Sequence, residues 1–267
     1  MSRAIAHPDR RPAVVTGASS GIGQATARAL AARGYPVVLG ARRLSRCEEM
    51  AREITDQGGE AHAFALDLAD RGSIATFVGQ ARDAVGEIDI LVSSAGQNLP
   101  DPTIDSSPGA FAALMGVNMV GAHEMVGLLA PGMIDRHHGD MVFVTSENVR
   151  SPRPHNKAYV ASKWALEGYA RTLQKELEGT GVRASIVQPG QTLSEMGSDW
   201  DPGPTTEILD QWIRWGLARH GHFLDTGAVA NAVVTVVEVP VGTHLTMIEV
   251  QPEAPVHEDD PTSGGTP

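Results

Sequence analysis

Two hydrophobic patterns alternate along most of the chain. Short apolar runs are each followed by a longer stretch in which apolar residues recur at helical spacing. Apolar runs this short, bounded by Gly, Pro or polar residues, are typical of buried strands. Strand and helix in alternation predict an α/β fold with a parallel sheet and helices on both of its faces. The predicted strands are 12–15, 36–39, 61–66, 88–92, 140–145, 182–187 and 243–250.

Both ends of the chain depart from this alternation. Residues 1–11 are polar, and we expect them to form a short flexible lead. Residues 251–267 are acidic and rich in Pro and Gly, so we expect a disordered tail. The segment between them, 12–250, is predicted to be one domain.

A third departure lies inside the domain, at residues 192–220. This segment is rich in Trp, Met, Gly and Pro, which indicates an inserted helical flap. Two interpretations stay open: its bulky side chains line an apolar substrate pocket, or they pack the flap onto the body of the protein or onto a neighbouring subunit. The candidate substrate contacts are Met196, Trp200 and Trp212.

Composition narrows the classes of partner. The 267 residues carry a formal net charge of -11, which argues against nucleic acid or an anionic membrane as the main partner. No apolar run has the length of a membrane span, and the first residues are too polar for a signal peptide. The single cysteine, Cys47, cannot form an internal disulfide, so we expect a reducing, cytoplasmic location. We predict no metal site, because His137 and His138 have no further ligand at metal spacing.

A glycine-rich turn follows the first strand. Residues 16–23 read Thr-Gly-Ala-Ser-Ser-Gly-Ile-Gly and lead directly into a helical pattern. Gly17, Gly21 and Gly23 would let the backbone turn tightly and approach a pyrophosphate, which the helix N-terminus would attract. The alternative is an ordinary glycine-rich turn, but the strand and helix on either side favour a dinucleotide site.

The end of the second strand indicates which dinucleotide binds. NAD sites place an acidic residue here for the ribose hydroxyls, whereas this chain has Ala41 followed by Arg42 and Arg43. A guanidinium binds a phosphate well, so the pattern favours NADP. If both arginines are only solvated surface residues, NAD is the alternative.

A third group of residues carries candidate chemistry. Tyr159 and Lys163 are four apart on a predicted helix, so they share a face, and an ammonium there would lower the pKa of the phenol. Ser146 follows a predicted strand, and in parallel sheets ligands bind beyond the carboxyl ends of the strands. Asn118 lies within a mildly helical stretch, where a local hydrogen bond is its ordinary role.

Taken in order, these residues resemble the short-chain dehydrogenase/reductase family. The matching motifs are the glycine turn, Ser-Ser-Ala-Gly at 93–96, Asn118, Ser146, Tyr-Val-Ala-Ser-Lys at 159–163 and Pro-Gly at 189–190. The resemblance covers residues 12–250. It implies a single doubly wound Rossmann domain of about seven parallel strands, and a homotetramer or homodimer.

The resemblance also implies roles for the site residues. Tyr159 would be the general acid/base, Ser146 would hold the substrate oxygen, and Lys163 would lower the pKa of Tyr159 and bind the nicotinamide ribose. Asn118 would hold a water that links Lys163 to solvent. The residues implied for cofactor binding are Gly17, Ser19, Ser20, Gly21, Ile22, Gly23, Arg42, Asp67, Leu68, Ser94, Ala95, Gly96, Tyr159, Lys163, Pro189, Gly190, Thr192 and Ser194.

Glu147 and Asn148 follow Ser146 where the family usually has small residues, so we expect them to face the substrate. The sequence thus predicts an NADP(H)-dependent oxidoreductase that interconverts a carbonyl and an alcohol on a fairly apolar small molecule. Two alternatives stay open: the same chemistry with NAD(H), and a catalytically idle dinucleotide-binding scaffold or sensor.

Overall fold

The structure is a computed structural model, which describes residues 6–99, 107–196, 211–212, 214–217 and 221–254. Its strands are β1 Ala13–Thr16, β2 Val37–Ala41, β3 Ala61–Ala65, β4 Ile90–Ser93, β5 Gly139–Val144, β6 Val182–Pro189 and β7 Met247–Val250. Its helices are α1 Gly21–Ala32, α2 Leu44–Asp56, α3 Arg71–Val85, α4 Pro108–Met115, α5 Gly121–Asp135, α6 Lys157–Glu176 and α7 Thr226–Glu238.

The strands form one sheet in the order β3-β2-β1-β4-β5-β6-β7, and every described pair is parallel. The predicted doubly wound sheet is therefore confirmed. The chain builds outward from β1 in one direction and then, from β4, in the other. All carboxyl ends lie at one edge, and the reversal leaves a crevice between β1 and β4 where such folds bind ligands.

Helices cover both faces of the sheet, as the alternation predicts. Successive residues of a strand point to opposite faces, so Val14 and Val15 of β1 belong to two different apolar clusters. The Val14 cluster includes Phe77 of α3, and α5 and α6 also contribute to it. The Val15 cluster includes Met50 of α2, with residues of α1 and α7.

The described residues 6–11, part of the expected flexible lead, make specific contacts with the domain, while the flexibility of the lead stays a prediction. Arg11 is buried and binds Asp89 through Nε at 2.5 Å, and it also binds Asp140. His7 bonds to the backbone oxygen of Val239 at 2.7 Å. Polar residues anchor this segment by ion pairs and hydrogen bonds, which a hydrophobic pattern does not detect. Residues 1–5 and 255–267 lie outside the described part of the chain.

The segment Pro108–Asp135 is helical throughout, with a π-helical turn at Gly116–Val120 between α4 and α5. By length and mean hydropathy alone, 1.3, it could span a membrane. Its Met125, Leu129 and Met133 are instead buried against the sheet. The apolar character of this helix therefore has a role in the core, and the expectation of no membrane partner stays a prediction.

Candidate active site

The crevice between β1 and β4 is held together by Thr16. Its hydroxyl accepts hydrogen bonds from the backbone N–H groups of Ser94 and Ala95, both at 3.1 Å. Gly17 follows with a φ of 71°, and a Cβ there would lie 2.7 Å from the Cα of Ala95. Only glycine allows this approach, so the first glycine of the turn fixes the chain beside the loop after β4.

The N-terminus of α1 points toward the same crevice. Gly23 packs so closely on the turn that a Cβ would meet the carbonyl oxygen of Gly17 at 2.4 Å. Ser20 is the N-cap residue, but its side chain makes no capping bond. It accepts instead from Nη2 of Arg43 at 2.6 Å. The first N–H groups of α1 are therefore not satisfied by their own cap residue, which suits an anion site.

The two arginines after β2 occupy different places. With the oxygen of its amide turned toward Arg42, Gln97 accepts hydrogen bonds from both terminal nitrogens of that guanidinium, at 3.0 and 3.1 Å. Arg43 donates to the hydroxyls of Ser19 and Ser20 and pairs with Glu195 at 2.8 Å. Arg43 therefore lies nearer the glycine turn than Arg42, although the sequence singled out Arg42.

A groove of about 730 Å³ runs along this edge of the sheet, within the size range of ligand pockets. It brings together most of the residues expected to bind cofactor. Five expected cofactor residues, Tyr159, Lys163, Pro189, Gly190 and Thr192, are not among its lining residues. The expected residues that line it are Gly17, Ser19, Ser20, Gly21, Ile22, Gly23, Arg42, Asp67, Leu68, Ser94, Ala95, Gly96 and Ser194.

The candidate catalytic residues meet at the same edge, beyond β5. Ser146 precedes a short 3-10 turn, Glu147–Val149, and its hydroxyl accepts from the N–H of Asn148 at 3.2 Å. The hydroxyl of Ser146 lies near enough to that of Tyr159 to lower its pKa as a hydrogen-bonding group. Lys163 is one turn along α6, with Nζ 5.8 Å from the centre of the Tyr159 ring. All three side chains are buried.

Burial dominates the acid–base properties of this group. It raises the pKa of Tyr159 above its ordinary value of 10, and the hydrogen bond from Ser146 offsets this only in part. The expectation that Lys163 lowers the pKa of Tyr159 is therefore not met in this structure. Burial lowers the pKa of Lys163 itself to about 8. Its ammonium donates to the carbonyl oxygen of Val144 at 2.8 Å.

Asn118 lies in the π-helical turn and is buried. Its Oδ1 accepts from the N–H of Gln97 at 2.8 Å, and its Nδ2 donates to the carbonyl of Gln97 and the hydroxyl of Ser162, both at 2.9 Å. Ser162 in turn donates to the carbonyl of Tyr159 at 2.7 Å. Asn118 thus ties the loop after β4 to the catalytic helix. Its expected role in a water relay stays a prediction.

The expected substrate contacts have different surroundings. Asn148 is buried, and Glu147 forms an ion pair with Arg153. Trp212 is buried against Arg153, with the guanidinium carbon 4.9 Å from the ring centre. Met196 is 45% exposed and borders the cofactor groove. Trp200 lies outside the described residues.

Four contributors to the site were not identified from the sequence. Thr16 opens the recognised glycine turn, and Gln97 and Glu195 directly follow the recognised positions Gly96 and Ser194, so their place beside the crevice could have been inferred. Arg153 carries no such signal, and the side-chain contacts of Arg153 and Glu195 could not be inferred. Their partners are distant in the chain or lie in an irregular loop, and only the folded structure brings them to the site.

A family model described as short chain dehydrogenase matches residues 11–204. An uncharacterized oxidoreductase of Staphylococcus saprophyticus is 30% identical over 241 residues, which are 90% of this chain and 96% of the relative. Glycine betaine reductase ATRR of Emericella nidulans is 32% identical over 240 residues. They cover 90% of this chain but only 18% of that protein.

Solved structures agree with this match. An alcohol dehydrogenase from the archaeon Thermococcus sibiricus, complexed with 5-hydroxy-NADP, superposes with a TM-score of 0.77 at 27% identity, covering 91% of this chain and 96% of the other. A metagenomic short-chain oxidoreductase in complex with NADP gives 0.77 at 30% identity, covering 91% and 98%. A short chain dehydrogenase/reductase from Burkholderia phymatum in complex with NAD, at 22% identity and a TM-score of 0.79, covers 90% and 89% and shares the fold. The chain therefore belongs to the short-chain dehydrogenase/reductase family of NAD(P)-dependent oxidoreductases.

Proposed function

We propose that this protein is an NADP(H)-dependent oxidoreductase that interconverts a carbonyl and an alcohol on a small molecule with an apolar body. The observation that carries the proposal is the buried group formed by Ser146 and Tyr159, whose hydroxyls are close enough to affect each other, with Lys163 one helical turn away. This group lies at the same sheet edge as the groove lined by the glycine turn.

A nicotinamide cofactor supplies the hydride when it is bound, so the protein has to supply a proton and an orientation. In the reduction direction, the hydroxyl of Tyr159 donates its proton to the carbonyl oxygen of the substrate. Ser146 donates a hydrogen bond to the same oxygen and stabilises its developing negative charge. Lys163 lies beside the Tyr159 ring with its ammonium on the carbonyl oxygen of Val144, from where it would hold the nicotinamide ribose.

The arginines after β2 support NADP over NAD. Arg42 and Arg43 both line the groove, and guanidinium groups bind phosphate with directed hydrogen bonds. No acidic residue stands at the end of β2 to repel a 2′-phosphate. Two of the similar structures hold NADP or a derivative of it, while the one with NAD is the more distant in sequence.

We also propose a homodimer or homotetramer in the cytoplasm. Trp164 of α6 is 53% exposed, and Val120 and Phe111 on the helices before it are exposed as well. Large apolar side chains in such numbers on neighbouring helices are typical of subunit contacts. Size-exclusion chromatography with light scattering measures the assembly. A monomer at micromolar concentration would contradict this part of the proposal.

The test compares Tyr159→Phe with the wild type in reduction of simple ketones by NADPH and by NADH. We expect the variant to lose at least about a hundredfold in kcat, since general acid catalysis contributes at least that much, while NADPH binding is retained. An equally active variant would refute the mechanism. Binding of cofactor without turnover on any ketone or alcohol by the wild type would favour the idle scaffold, and tighter binding of NADH would favour the NAD alternative.

A further inference from the structure

One charged side chain beside Tyr159 is not used in the proposed proton transfer. Arg153 lies in the loop between the 3-10 turn and α6, and its side chain is only 9% exposed. It is close enough to Tyr159 for its charge to act on that hydroxyl. A guanidinium that is so well shielded from water and lies next to a general acid needs a chemical explanation.

Arg153 is held in a fixed orientation. Nη2 pairs with Glu147, the residue directly after Ser146. The guanidinium carbon lies over the indole of Trp212, 4.9 Å from the ring centre. Its Nε is buried with no hydrogen-bond partner among the described residues. A planar fork of this kind is preorganised to bind a carboxylate through two parallel bonds.

Two described residues of the flap segment contact the loop that carries Arg153. The indole N–H of Trp212 donates to the carbonyl of Pro154 at 3.2 Å, and Gln211 bonds to the ring of His155 at 3.0 Å. Consecutive flap residues therefore dock on the loop that carries Arg153. Removal of water from a guanidinium strengthens its attraction for an anion that enters the same space.

The local charge also favours an anion. The whole chain carries a net charge of -11, yet the segment from 147 to 157 has one acidic side chain, Glu147, against Arg150, Arg153 and Lys157. Positive charge near a site in an acidic protein attracts anionic substrates. Burial lowers the pKa of Arg153, with Glu147 opposing that effect, so a second carboxylate would be well accommodated.

We propose that Arg153 anchors a carboxylate on the substrate, so that the protein acts on keto acids and hydroxy acids with an apolar body. This rests on the proposed oxidoreductase function. The carboxylate would bind the guanidinium edge from the side of Tyr159 and share it with Glu147, while Trp212 supports the opposite face. Arg153 is then a specificity-determining residue, and Glu147 weakens binding by competing for it.

The experiment measures kcat and KM with NADPH for 4-oxopentanoate, 5-oxohexanoate and the methyl ester of each. Two chain lengths are used because the gap between the guanidinium and Tyr159 sets the spacing of carboxylate and carbonyl. In the wild type we expect kcat/KM for the better acid to exceed that for its ester by about tenfold or more. Arg153→Met should raise KM for the acid by about 30-fold or more, with KM for the ester nearly unchanged.

Three further variants sharpen the test. Arg153→Lys should recover part of the preference for the acid, because it keeps the charge without the fork. Glu147→Gln should lower KM for the acid, the opposite direction from Arg153→Met. Arg150→Met is the matched control, since Arg150 is exposed and its Nη2 lies 3.7 Å from Sδ of Met247. It removes one positive charge at a distance from the proposed anchor, so we expect a much smaller change in preference than for Arg153→Met.

The inference is overturned if the wild type treats acids and esters alike, or if Arg153→Met impairs both equally, which would make Arg153 only a support for Trp212. If Arg153→Met does not fold, the comparison of acid with ester in the wild type still tests the carboxylate anchor. Turnover of esters without preference for acids contradicts the anchor and leaves the proposed function standing. No turnover of any carbonyl with either nucleotide removes the proposed function and the anchor with it.

Discussion

The two edges of the sheet bury charge in different ways. At the amino-terminal edge, Arg11 lies between Asp89 and Asp140, and Arg183 donates to both oxygens of Asp140 at 2.7 and 2.8 Å. His138 bonds to the remaining oxygen of Asp89 at 2.7 Å. Each buried carboxylate therefore has a hydrogen-bonding partner on both of its oxygens, and an arginine on at least one of them.

The carboxyl edge is less complete. Lys163 is buried with a carbonyl oxygen as its partner and no carboxylate in contact among the described residues. Asn148, Asn156 and Gln188 each have a buried side-chain atom that lacks a hydrogen bond within the described part of the chain. Such groups cost stability. They are also the donors, acceptors and charges that a bound ligand can use.

The comparison separates two uses of buried polarity. A fully paired network fixes the strands at one edge, and its removal should affect folding far more than activity. The polar groups at the carboxyl edge are only partly paired. They should matter for activity, and their presence can even lower stability, because function there requires charges that are shielded from water. We expect substitutions at the amino-terminal edge to change stability and substitutions at the carboxyl edge to change activity.

The largest effect on stability is expected for Asp140→Ala. This change leaves Arg11 buried without one of its two carboxylates and Arg183 without its partner, so the free energy of unfolding should fall by about 3–5 kcal/mol. Urea unfolding measures the loss. Glu60→Ala, which removes the exposed pair with Arg10, is the matched control, for which about 0–1 kcal/mol is expected. A fall as small as that of the control would contradict the structural role of the network.

Lys163→Met should have the opposite sign. The lowered pKa of Lys163, about 8, means that its charge is buried at a cost below that pH. The variant should be more stable than the wild type at pH 7 by about 1–3 kcal/mol, although inactive. The difference should shrink as pH rises from about 8 toward 10.5, where the unfolded lysine also loses its proton. A destabilised variant would show that the bond to Val144 outweighs the burial of charge.

Thr16→Val is expected to lower both the stability of the protein and its affinity for NADPH. It keeps the shape of the side chain but removes the oxygen that accepts from Ser94 and Ala95. The loss of a partner for two N–H groups should cost about 1–2 kcal/mol of stability and weaken NADPH binding severalfold, since Ala95 fixes the glycine turn. Thermal unfolding with and without NADPH separates the two effects. Unchanged NADPH affinity would restrict Thr16 to a role in stability.

The smallest effect is expected in acid. Burial alone would raise the pKa of Asp89, but the bonds from His138 and Arg11 outweigh it and hold the pKa below its usual 3.8. The stability gained from the ionised carboxylate is therefore complete above pH 3.8 and lost as pH falls through the lower, folded-state pKa. Acid unfolding of the wild type and Asp89→Asn should converge below that pH. Curves that stay parallel would show that Asp89 does not titrate with unfolding.

Much of the fold follows from local pattern. The local sequence was enough to assign two strands from the buried runs Val14–Val15 and Val37–Leu39. The glycine turn between them indicated that they are joined by a crossover helix and lie next to each other in the sheet. Ser146, Tyr159 and Lys163 were located because they lie at fixed distances from strand ends and within one helix.

What was not predicted depends on contacts between distant residues. Arg11 reaches Asp89 and Asp140 across 78 and 129 residues, so its burial leaves no local trace in an otherwise polar lead. We predicted that the pKa of Tyr159 is lowered, whereas burial raises it. Desolvation depends on how many elements pack around the ring, and the spacing of residues along the chain does not reveal this.

The first and the last described residues lie at opposite edges of the sheet, which has a practical consequence for handling the protein. His7 is fixed beside Val239 and His138 at the amino-terminal edge, whereas Gly190 donates to Val250 at 2.7 Å and lies against Gln251 at the carboxyl edge. A tether or reporter joined before residue 6 would leave the cofactor groove open. One inserted at residue 254 would start from the carboxyl edge, close to Gly190, so surface immobilisation should preserve turnover better through the first attachment.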